Sequence, residues 1–249
     1  MTERERDAVA TYHAALVARL RELLGPELVG VYAGGSYALG DFDPARSDVD
    51  VAALCRMPLE PARKERIAAA VGHEELAVPA RGLELVVYAE ETVRVASAGA
   101  GFELNLNTGD GLPSRLDVSP GTVERHWFPL DRAVLHAHGI ALHGPPAAEV
   151  FAPLPRELLL PVVREALEWQ LDNPMTAEAD VVLTACRALR YVVEDRWSSK
   201  GAAGRWALRH VGDAELVQAA LTARTGGAGL GRGRVEGLVC TVLGRVDAG

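Results

Sequence analysis

Residues 34–54 read GGSYALGDFDPARSDVDVAAL, and the strands on either side of the polar loop in this stretch indicate the fold. The preceding residues 28–33 (LVGVYA) form a short apolar run that is typical of a buried strand. After the loop, residues 48–54 alternate acidic and apolar side chains, which predicts a second strand with one face in the core. Asp48 and Asp50 therefore share a strand face, about 7 Å apart.

Three acidic residues on two predicted strands form a candidate metal site. Asp48 and Asp50 would repel each other unless a divalent cation lay between them. Carboxylate oxygens of this kind suit Mg²⁺. Residues 83–88 (LELVVY) have the pattern of a third strand, which Glu84 interrupts as a single acid. If the two strands are neighbours, Glu84 completes a site of three carboxylates.

The glycines and the serine that precede the loop form a candidate phosphate site. Gly34 and Gly35 allow the backbone to approach a ligand closely, and Ser36 stands at the predicted start of a short helix, where free N–H groups attract phosphate. Taken alone, a Gly-Gly-Ser is usually a turn and an Asp-x-Asp is usually solvated. Their order, with strands on both sides, points to nucleotidyl transfer, in which metal ions neutralise a triphosphate and align attack at its α-phosphorus.

The rest of the chain divides into two predicted domains. Strands separated by helices indicate an α/β or α+β domain over residues 1–155, and we predict the α+β class with a mixed sheet. Four prolines crowd residues 145–155 and mark the boundary. Residues 156–249 show helical periodicity throughout, which predicts an α-helical bundle. Predicted helices cover residues 7–24, 60–71, 122–138, 156–171, 176–195, 199–211, 213–224 and 234–246.

Composition excludes several classes of protein. A chain of 249 residues that is 49% hydrophobic and 24% charged is not intrinsically disordered. Its apolar runs are shorter than the ~18 residues of a membrane-spanning helix, and no apolar segment follows the polar start MTERERD, so we expect a cytoplasmic protein without a membrane partner. The net charge of -8 argues against a nucleic-acid partner and favours a cationic small substrate.

A few further residues have patterns of their own. Cys55, Cys186 and Cys240 lack metal-ligand spacing, so we interpret them as reduced thiols. The glycine-rich residues 226–233 (GGAGLGRG) fit neither a Walker A nor a GxGxxG pattern, and we interpret them as a connector between helices. Lys200, one of two lysines in the chain, follows a Ser-Ser helix cap, so its ammonium and the helix N-terminus would face the same anion.

Several segments resemble a known family. Gly35-Ser36, an eleven-residue spacer and Asp48-Val-Asp50 resemble the nucleotidyltransferase superfamily that includes DNA polymerase beta. More of the chain is similar to the aminoglycoside 3''/9-adenylyltransferases, which modify streptomycin and spectinomycin. The segments that carry this similarity are residues 82–88 (GLELVVY), 130–155, 180–195 and 198–211.

That resemblance implies a reaction and a set of residues. AMP would pass from ATP to a hydroxyl of an aminoglycoside or aminocyclitol antibiotic with release of pyrophosphate, a resistance reaction of EC 2.7.7 type. ATP would lie between the domains, and the helical domain would close the cleft. The implied Mg²⁺ ligands are Asp48 and Asp50, and the implied catalytic base is Glu84, which is also the third carboxylate of the metal site predicted from the strands. The implied ATP contacts are Ser36, Ser47, Asp131 and Lys200, to which the phosphate site predicted above adds Gly35.

The acceptor side of the resemblance leaves alternatives open. Residues 105–111 (NLNTGDG) contain no aromatic residue where streptomycin-modifying members carry a tryptophan, so spectinomycin or another acceptor fits as well. Trp169, Asp172, Glu178 and Asp180 would form a wall that binds a cationic drug, or equally the polar face of two helices. Two other functions share the fold: AMP transfer to a protein, and a regulatory or antitoxin-like nucleotide-binding module.

Overall fold

The computed structural model describes residues 1–173, 176–224 and 229–249. The chain forms two compact units, Met1–Leu154 and Pro155–Gly249. The proline-rich segment that predicts a boundary after residue 155 ends where the second unit begins. The first unit contains the sheet and the second is made of helices.

The first unit is built on a six-stranded mixed sheet with the strand order β5-β4-β3-β2-β1-β6. Strands β2 and β3 are parallel, and the other neighbours are antiparallel. This architecture confirms the predicted α+β class. The strands are β1 (Leu28–Ala33), β2 (Asp48–Cys55), β3 (Gly82–Ala89), β4 (Phe102–Gly109), β5 (Leu112–Asp117) and β6 (Ile140–His143).

Helices cover both faces of this sheet. They are α1 (Glu3–Leu24), α2 (Gly35–Ala38), α3 (Pro61–Val71), α4 (Glu90–Val93), α5 (Trp127–His138) and α6 (Ala147–Val150). The first helix begins at a capping box, in which the Thr2 side chain accepts from the Glu5 N–H and the Glu5 carboxylate accepts from the Thr2 N–H. It ends at Gly25, whose φ of 55° lies in the left-handed region that glycine adopts without strain.

Two apolar clusters position the acidic residues. On one face, α1 and α3 pack against alternate residues of the central strands, including Val49 and Leu85. On the other face, an aromatic cluster that contains Tyr32, Tyr88 and Phe151 covers the later halves of β2 and β3. Because side chains alternate along a strand, Asp48, Asp50 and Glu84 lie on this second face, before the cluster begins. They are half-buried rather than enclosed in the core.

The second unit consists of α7 (Arg156–Asp172), α8 (Glu178–Glu194), α9 (Lys200–Ala207), α10 (Ala214–Ala223) and α11 (Arg232–Asp247). None of the helices in the described ranges combines the length and apolarity that a membrane span requires. Of the glycine-rich tract, residues 226–228 lie outside the described ranges. In its described part the Leu230 N–H donates to the Glu178 carboxylate.

The structure of the three cysteines agrees with their interpretation as reduced thiols. Cys55 and Cys186 are buried, Cys240 is exposed, and all three are free. Burial raises the pKa of Cys55 and of Cys186 to about 12, which keeps both thiols protonated and unreactive at neutral pH.

Three strands, β4, β5 and β6, are absent from the predicted strands, and two helix starts differ: α1 begins at Glu3 rather than at residue 7, and α5 begins later than predicted. Strand β4 alternates buried and half-buried residues as strands with one face in the core do, whereas β5 is exposed along almost its whole length and has no apolar pattern. Strand β6 has four residues and lies within the segment whose prolines indicate turns. Helix α5 begins at Trp127 rather than at 122, because a short 3₁₀ turn at Pro120–Thr122 precedes it.

Candidate active site

Two of the three predicted acids are direct neighbours across the parallel strand pair. Asp50 on β2 is in register with Glu84 on β3, and Asp48 is in register with Gly82. Side chains in register on neighbouring strands share a face, about 4.8 Å apart at the backbone. The main-chain register therefore holds the carboxylates of Asp50 and Glu84 side by side.

Gly35 lies against the Asp50 carboxylate. A Cβ atom added at Gly35 would lie 1.7 Å from Asp50 Oδ2, and the φ of 49° at this residue also favours glycine. The preceding Gly34 donates its N–H to the Asp50 carbonyl at 2.9 Å. The loop that enters α2 is thus attached to Asp50 through backbone contacts that leave no room for a side chain.

Ser36 has the properties expected of a ligand contact. Its Oγ is buried, and no group in the described part of the chain forms a hydrogen bond with it. A buried hydroxyl without a partner is rare in folded proteins, because its desolvation is then not compensated. A phosphate oxygen beside Gly35 and Asp50 would provide the missing partner.

The two other predicted ATP contacts of this unit lie near the same loop. Ser47 closes the turn before β2, where its Oγ accepts from the Asp43 N–H at 3.1 Å. Asp131 is exposed on α5, one turn before Leu135. A Cβ at Gly34 would lie 3.2 Å from Leu135 Cδ2, so Leu135 packs over the glycine loop. Residues one turn apart share a helix face, which directs Asp131 toward the same loop.

Asp48 has a protein partner. The Arg81 guanidinium binds its carboxylate through two hydrogen bonds, of 3.0 Å to Oδ1 and 2.6 Å to Oδ2. Within the described residues, no group of three or more His, Cys, Asp or Glu side chains is placed so that it could hold a metal ion. The predicted three-carboxylate Mg²⁺ site thus stays a prediction, and it requires Asp48 to exchange Arg81 for the cation.

Lys200 and Asp180 are predicted to bind different substrates, but they contact each other. The Lys200 ammonium lies 2.7 Å from Asp180 Oδ1, with 28% and 46% of the two side chains exposed. Desolvation by burial lowers the Lys200 pKa, and the neighbouring Asp180 opposes this change. At its N-terminus, α9 is capped by Ser199, whose side chain accepts from the Ala202 N–H as the helix-start prediction requires.

Two arginines near Lys200 are absent from the predicted site. Arg187 and Arg224 both act electrostatically on Lys200 and lower its pKa. The two arginines thus add positive charge to the surroundings of Lys200, and positive charge favours binding of an anion such as a triphosphate. The sequence contains one usable signal for this group: Arg187 follows Asp180 by seven residues and so lies on the same face of α8.

The remaining predicted acceptor residues are not gathered into one described group. Trp169 is half-buried and Asp172 is exposed in the last turn of α7. Glu178 accepts from the Leu230 N–H, which ties it to the connector before α11. Because Asp180 pairs with Lys200 and Glu178 pairs with the connector, a cation-binding wall of these residues remains a prediction.

Comparison with known proteins gives matches in both units. A family model described as a nucleotidyltransferase domain matches residues 14–98, which include the three carboxylates. A model described as the C-terminal domain of aminoglycoside adenylyltransferase matches residues 149–236. The two matches follow each other along the chain, in the order of its two units.

Individual proteins that are similar to the chain have names that match these family models. The chain is 26% identical over 216 residues to the aminoglycoside (3'') (9) adenylyltransferases of Klebsiella pneumoniae and Escherichia coli, over 82% of the chain and 79% of each relative. A protein of the same name from Rhizobium radiobacter is 32% identical over 103 residues, which are 39% of the chain and 38% of that protein.

A solved structure shares the fold. It is the crystal structure of the spectinomycin adenyltransferase from Enterococcus faecialis with ATP and spectinomycin. Its TM-score to this chain is 0.72 at 17% identity, and the alignment covers 94% of the chain and 98% of the neighbour.

Proposed function

Because the chain belongs to the aminoglycoside 3''/9-adenylyltransferase family and is an enzyme of the nucleotidyltransferase type, we propose that it transfers AMP from ATP to a hydroxyl of an aminocyclitol or aminoglycoside antibiotic. Pyrophosphate is the second product. The observation that carries this proposal is the in-register pair Asp50 and Glu84 with Gly35 packed against Asp50, since it places two carboxylates beside the glycine loop that leads to Ser36.

Glu84 is the proposed catalytic base. A half-buried carboxylate on a rigid central strand can accept a proton from an acceptor hydroxyl within hydrogen-bonding distance. The resulting nucleophilic oxygen attacks the α-phosphorus of ATP, and the bond to pyrophosphate breaks. The buried Ser36 hydroxyl and the backbone at Gly35 would orient the triphosphate, so that Glu84 and the α-phosphate approach the same oxygen.

The carboxylates fit a hard divalent cation. Asp50 and Glu84 would hold Mg²⁺ together, with Asp48 joining after its release from Arg81. When bound, the cation neutralises charge on the phosphate oxygens. The in-register placement of Asp50 and Glu84 on one face of the sheet supports this assignment.

The side chains of β4 and β5 bear on which class of acceptor is favoured. Residues 105–117 contain no aromatic side chain that could stack on a sugar ring. Spectinomycin and related aminocyclitols, which a hydrogen-bonding surface can bind, are therefore favoured over streptomycin. The chain has all three acids, Asp48, Asp50 and Glu84, which favours an active enzyme over a nucleotide-binding module without activity, because a pure binder does not need the base.

The experiment that tests this function measures pyrophosphate release. The protein is incubated with Mg²⁺, labelled ATP and, separately, spectinomycin, streptomycin or a protein extract. We expect release with spectinomycin and the label on the drug. Label on a protein, with no release in the presence of any drug, would replace the proposed function by protein AMPylation.

Lys200 is expected to bind the triphosphate. Lys200→Ala should weaken ATP binding on the order of 10-fold, because a charge-assisted contact to phosphate is lost. Isothermal titration calorimetry with ATP measures this change. The matched control is Lys64→Ala, which removes the other lysine and its 3.0 Å ion pair with Glu103. Equal ATP affinity in Lys200→Ala and the wild type would contradict the assignment.

Arg81 is expected to compete with the cation for Asp48. In Arg81→Ala the Asp48 carboxylate loses its counter-ion, so Mg²⁺ should raise the melting temperature of this variant more than that of the wild type. Differential scanning calorimetry with and without MgCl₂ tests the difference. Arg94→Ala is the control, because Arg94 is exposed to a similar extent and pairs with Glu90 instead. An equal Mg²⁺ effect in wild type and Arg81→Ala would show that Arg81 does not occupy the cation site.

A further inference from the structure

Lys200 lies at a place where its positive charge is unfavourable. It is the first residue of α9, and the N-terminus of a helix carries positive partial charge on its free N–H groups. Arg187 on α8 and Arg224 at the end of α10 also act against its charge, and its side chain is only 28% exposed. Each of these features favours loss of the ammonium proton, so Lys200 needs a counter-ion to stay charged.

Asp180 provides this counter-ion from the first turn of α8. Its Oδ1 lies 2.7 Å from Lys200 Nζ, which is the distance of a charge-assisted hydrogen bond. An acidic side chain in the first turn of a helix also interacts favourably with the dipole of that helix. The contact raises the pKa of Lys200, whereas burial lowers it. Opposite charges therefore meet at the starts of two helices that pack against each other.

The contact with Asp180 leaves Lys200 able to bind a second anion. An ammonium group has three N–H donors, and this contact uses one of them. The positive charges of Arg187 and Arg224 offset the negative charge that Asp180 brings to the same place. A phosphate oxygen would thus meet a lysine whose position is already fixed, and a side chain that is ordered before binding loses less conformational entropy on binding.

The same contact makes Asp180 a poor ligand for a cationic acceptor. To bind an ammonium group of a drug, the carboxylate would have to release Lys200 or share its oxygens with a second cation. That cation would also be repelled by Lys200, Arg187 and Arg224, since like charges brought together raise the free energy of a complex. These surroundings favour an anion over a cation.

We propose that Asp180 is a positioning residue for the nucleotide, which holds the Lys200 ammonium for the triphosphate of ATP, and that Asp180 does not contact the acceptor. This inference rests on the proposed function, in which Lys200 binds the triphosphate. It replaces the role in a cation-binding wall that the sequence predicts for Asp180. Loss of the Asp180 charge should therefore impair the binding of ATP and not the binding of the drug.

Asp180→Asn tests this role through calorimetric binding of ATP with Mg²⁺ and without any acceptor. Asparagine has nearly the same shape but no charge, so the pKa of Lys200 should fall further below its ordinary value. We expect ATP to bind about 3–10-fold more weakly at about pH 7. The loss should be larger at about pH 9, because more of the Lys200 side chain is then deprotonated. Asp180→Glu keeps the charge and should restore the pH dependence of the wild type.

Two controls separate this effect from a general loss of stability. Asp247→Asn removes a carboxylate that pairs with Arg164 in the same unit and is exposed to a similar extent, and it should bind ATP as the wild type does. The other control is the double variant of Lys200→Ala and Asp180→Asn. Once Lys200 is absent, Asp180→Asn should not weaken ATP binding further, since the two side chains act as one unit.

The KM for spectinomycin, measured by pyrophosphate release at saturating ATP, completes the test and should be unchanged in Asp180→Asn. Wild-type ATP affinity of Asp180→Asn at both pH values would overturn the positioning role. Tighter ATP binding would also overturn it, because the carboxylate would then compete with phosphate for Lys200. A raised KM for spectinomycin with unchanged ATP affinity would make Asp180 an acceptor contact and leave the AMP transfer standing.

Failure of the proposed function has a different signature. A wild-type protein that binds ATP but releases no pyrophosphate with any drug would overturn the transfer to a drug, while the ATP measurements would still decide the role of Asp180. A wild-type protein that does not bind ATP would overturn both.

Discussion

Replacing Glu84 by Gln is expected to lower the rate of AMP transfer by roughly 10²–10⁴-fold, the range for loss of a general base. Glutamine has nearly the same shape, so the strand, its register with Asp50 and the glycine loop should be retained. Its amide cannot accept the proton of the acceptor hydroxyl. ATP affinity should therefore stay close to that of the wild type, while the chemical step fails.

Single-turnover transfer and calorimetric ATP binding separate these two effects. The matched control is Glu90→Gln, in which the acid lies just after the same strand and pairs with Arg94. We expect Glu90→Gln to have wild-type turnover. Normal turnover in Glu84→Gln would show that Glu84 is not the base. Loss of ATP binding would indicate that Glu84 contributes mainly to binding the cation.

Gly35→Ala is the second substitution with a large expected effect. The added Cβ would overlap the Asp50 carboxylate, 1.7 Å from Oδ2, so either the carboxylate or the glycine loop has to move. A displacement of about 1 Å at a reacting centre can reduce turnover by about 100-fold. We therefore expect a loss of at least that order, together with weaker ATP binding.

Gly40→Ala is the control that separates the effect of steric overlap with Asp50 from the effect of backbone strain at a positive φ. Gly40 also has a positive φ, of 70°, but a Cβ there would have open space around it. Both variants should lose on the order of 1 kcal/mol of stability from the backbone conformation. Turnover should decrease strongly only in Gly35→Ala. Similar turnover in the two variants would show that Asp50 and the loop adjust without consequence for the reaction.

Much of the acidic site was predictable from local pattern. The alternation in β2 and β3 indicates which face Asp48, Asp50 and Glu84 share, because strand periodicity does not depend on distant contacts. The register that pairs Asp50 with Glu84 is not local information. It depends on the crossover through α3 and on how the apolar residues of both strands meet that helix and α1.

The contacts and strands that could not be predicted depend on partners that are distant in the sequence. Arg81 has no pattern that identifies Asp48 as its partner, since the two residues are separated by a whole strand-helix unit. Strand β5 is exposed and lacks an apolar face, so only its pairing with β4 identifies it as a strand. The pairing of Lys200 with Asp180 likewise depends on how two helices pack.

The order in which strands pair has a consequence for folding. Strands β1, β2 and β3, which carry the glycine loop and the carboxylates, come from residues 28–89, whereas β6 pairs with β1 from residues 140–143. Closing the longer loop costs more chain entropy and slows the contact. We therefore expect the carboxylates to reach their register before β6 docks on β1.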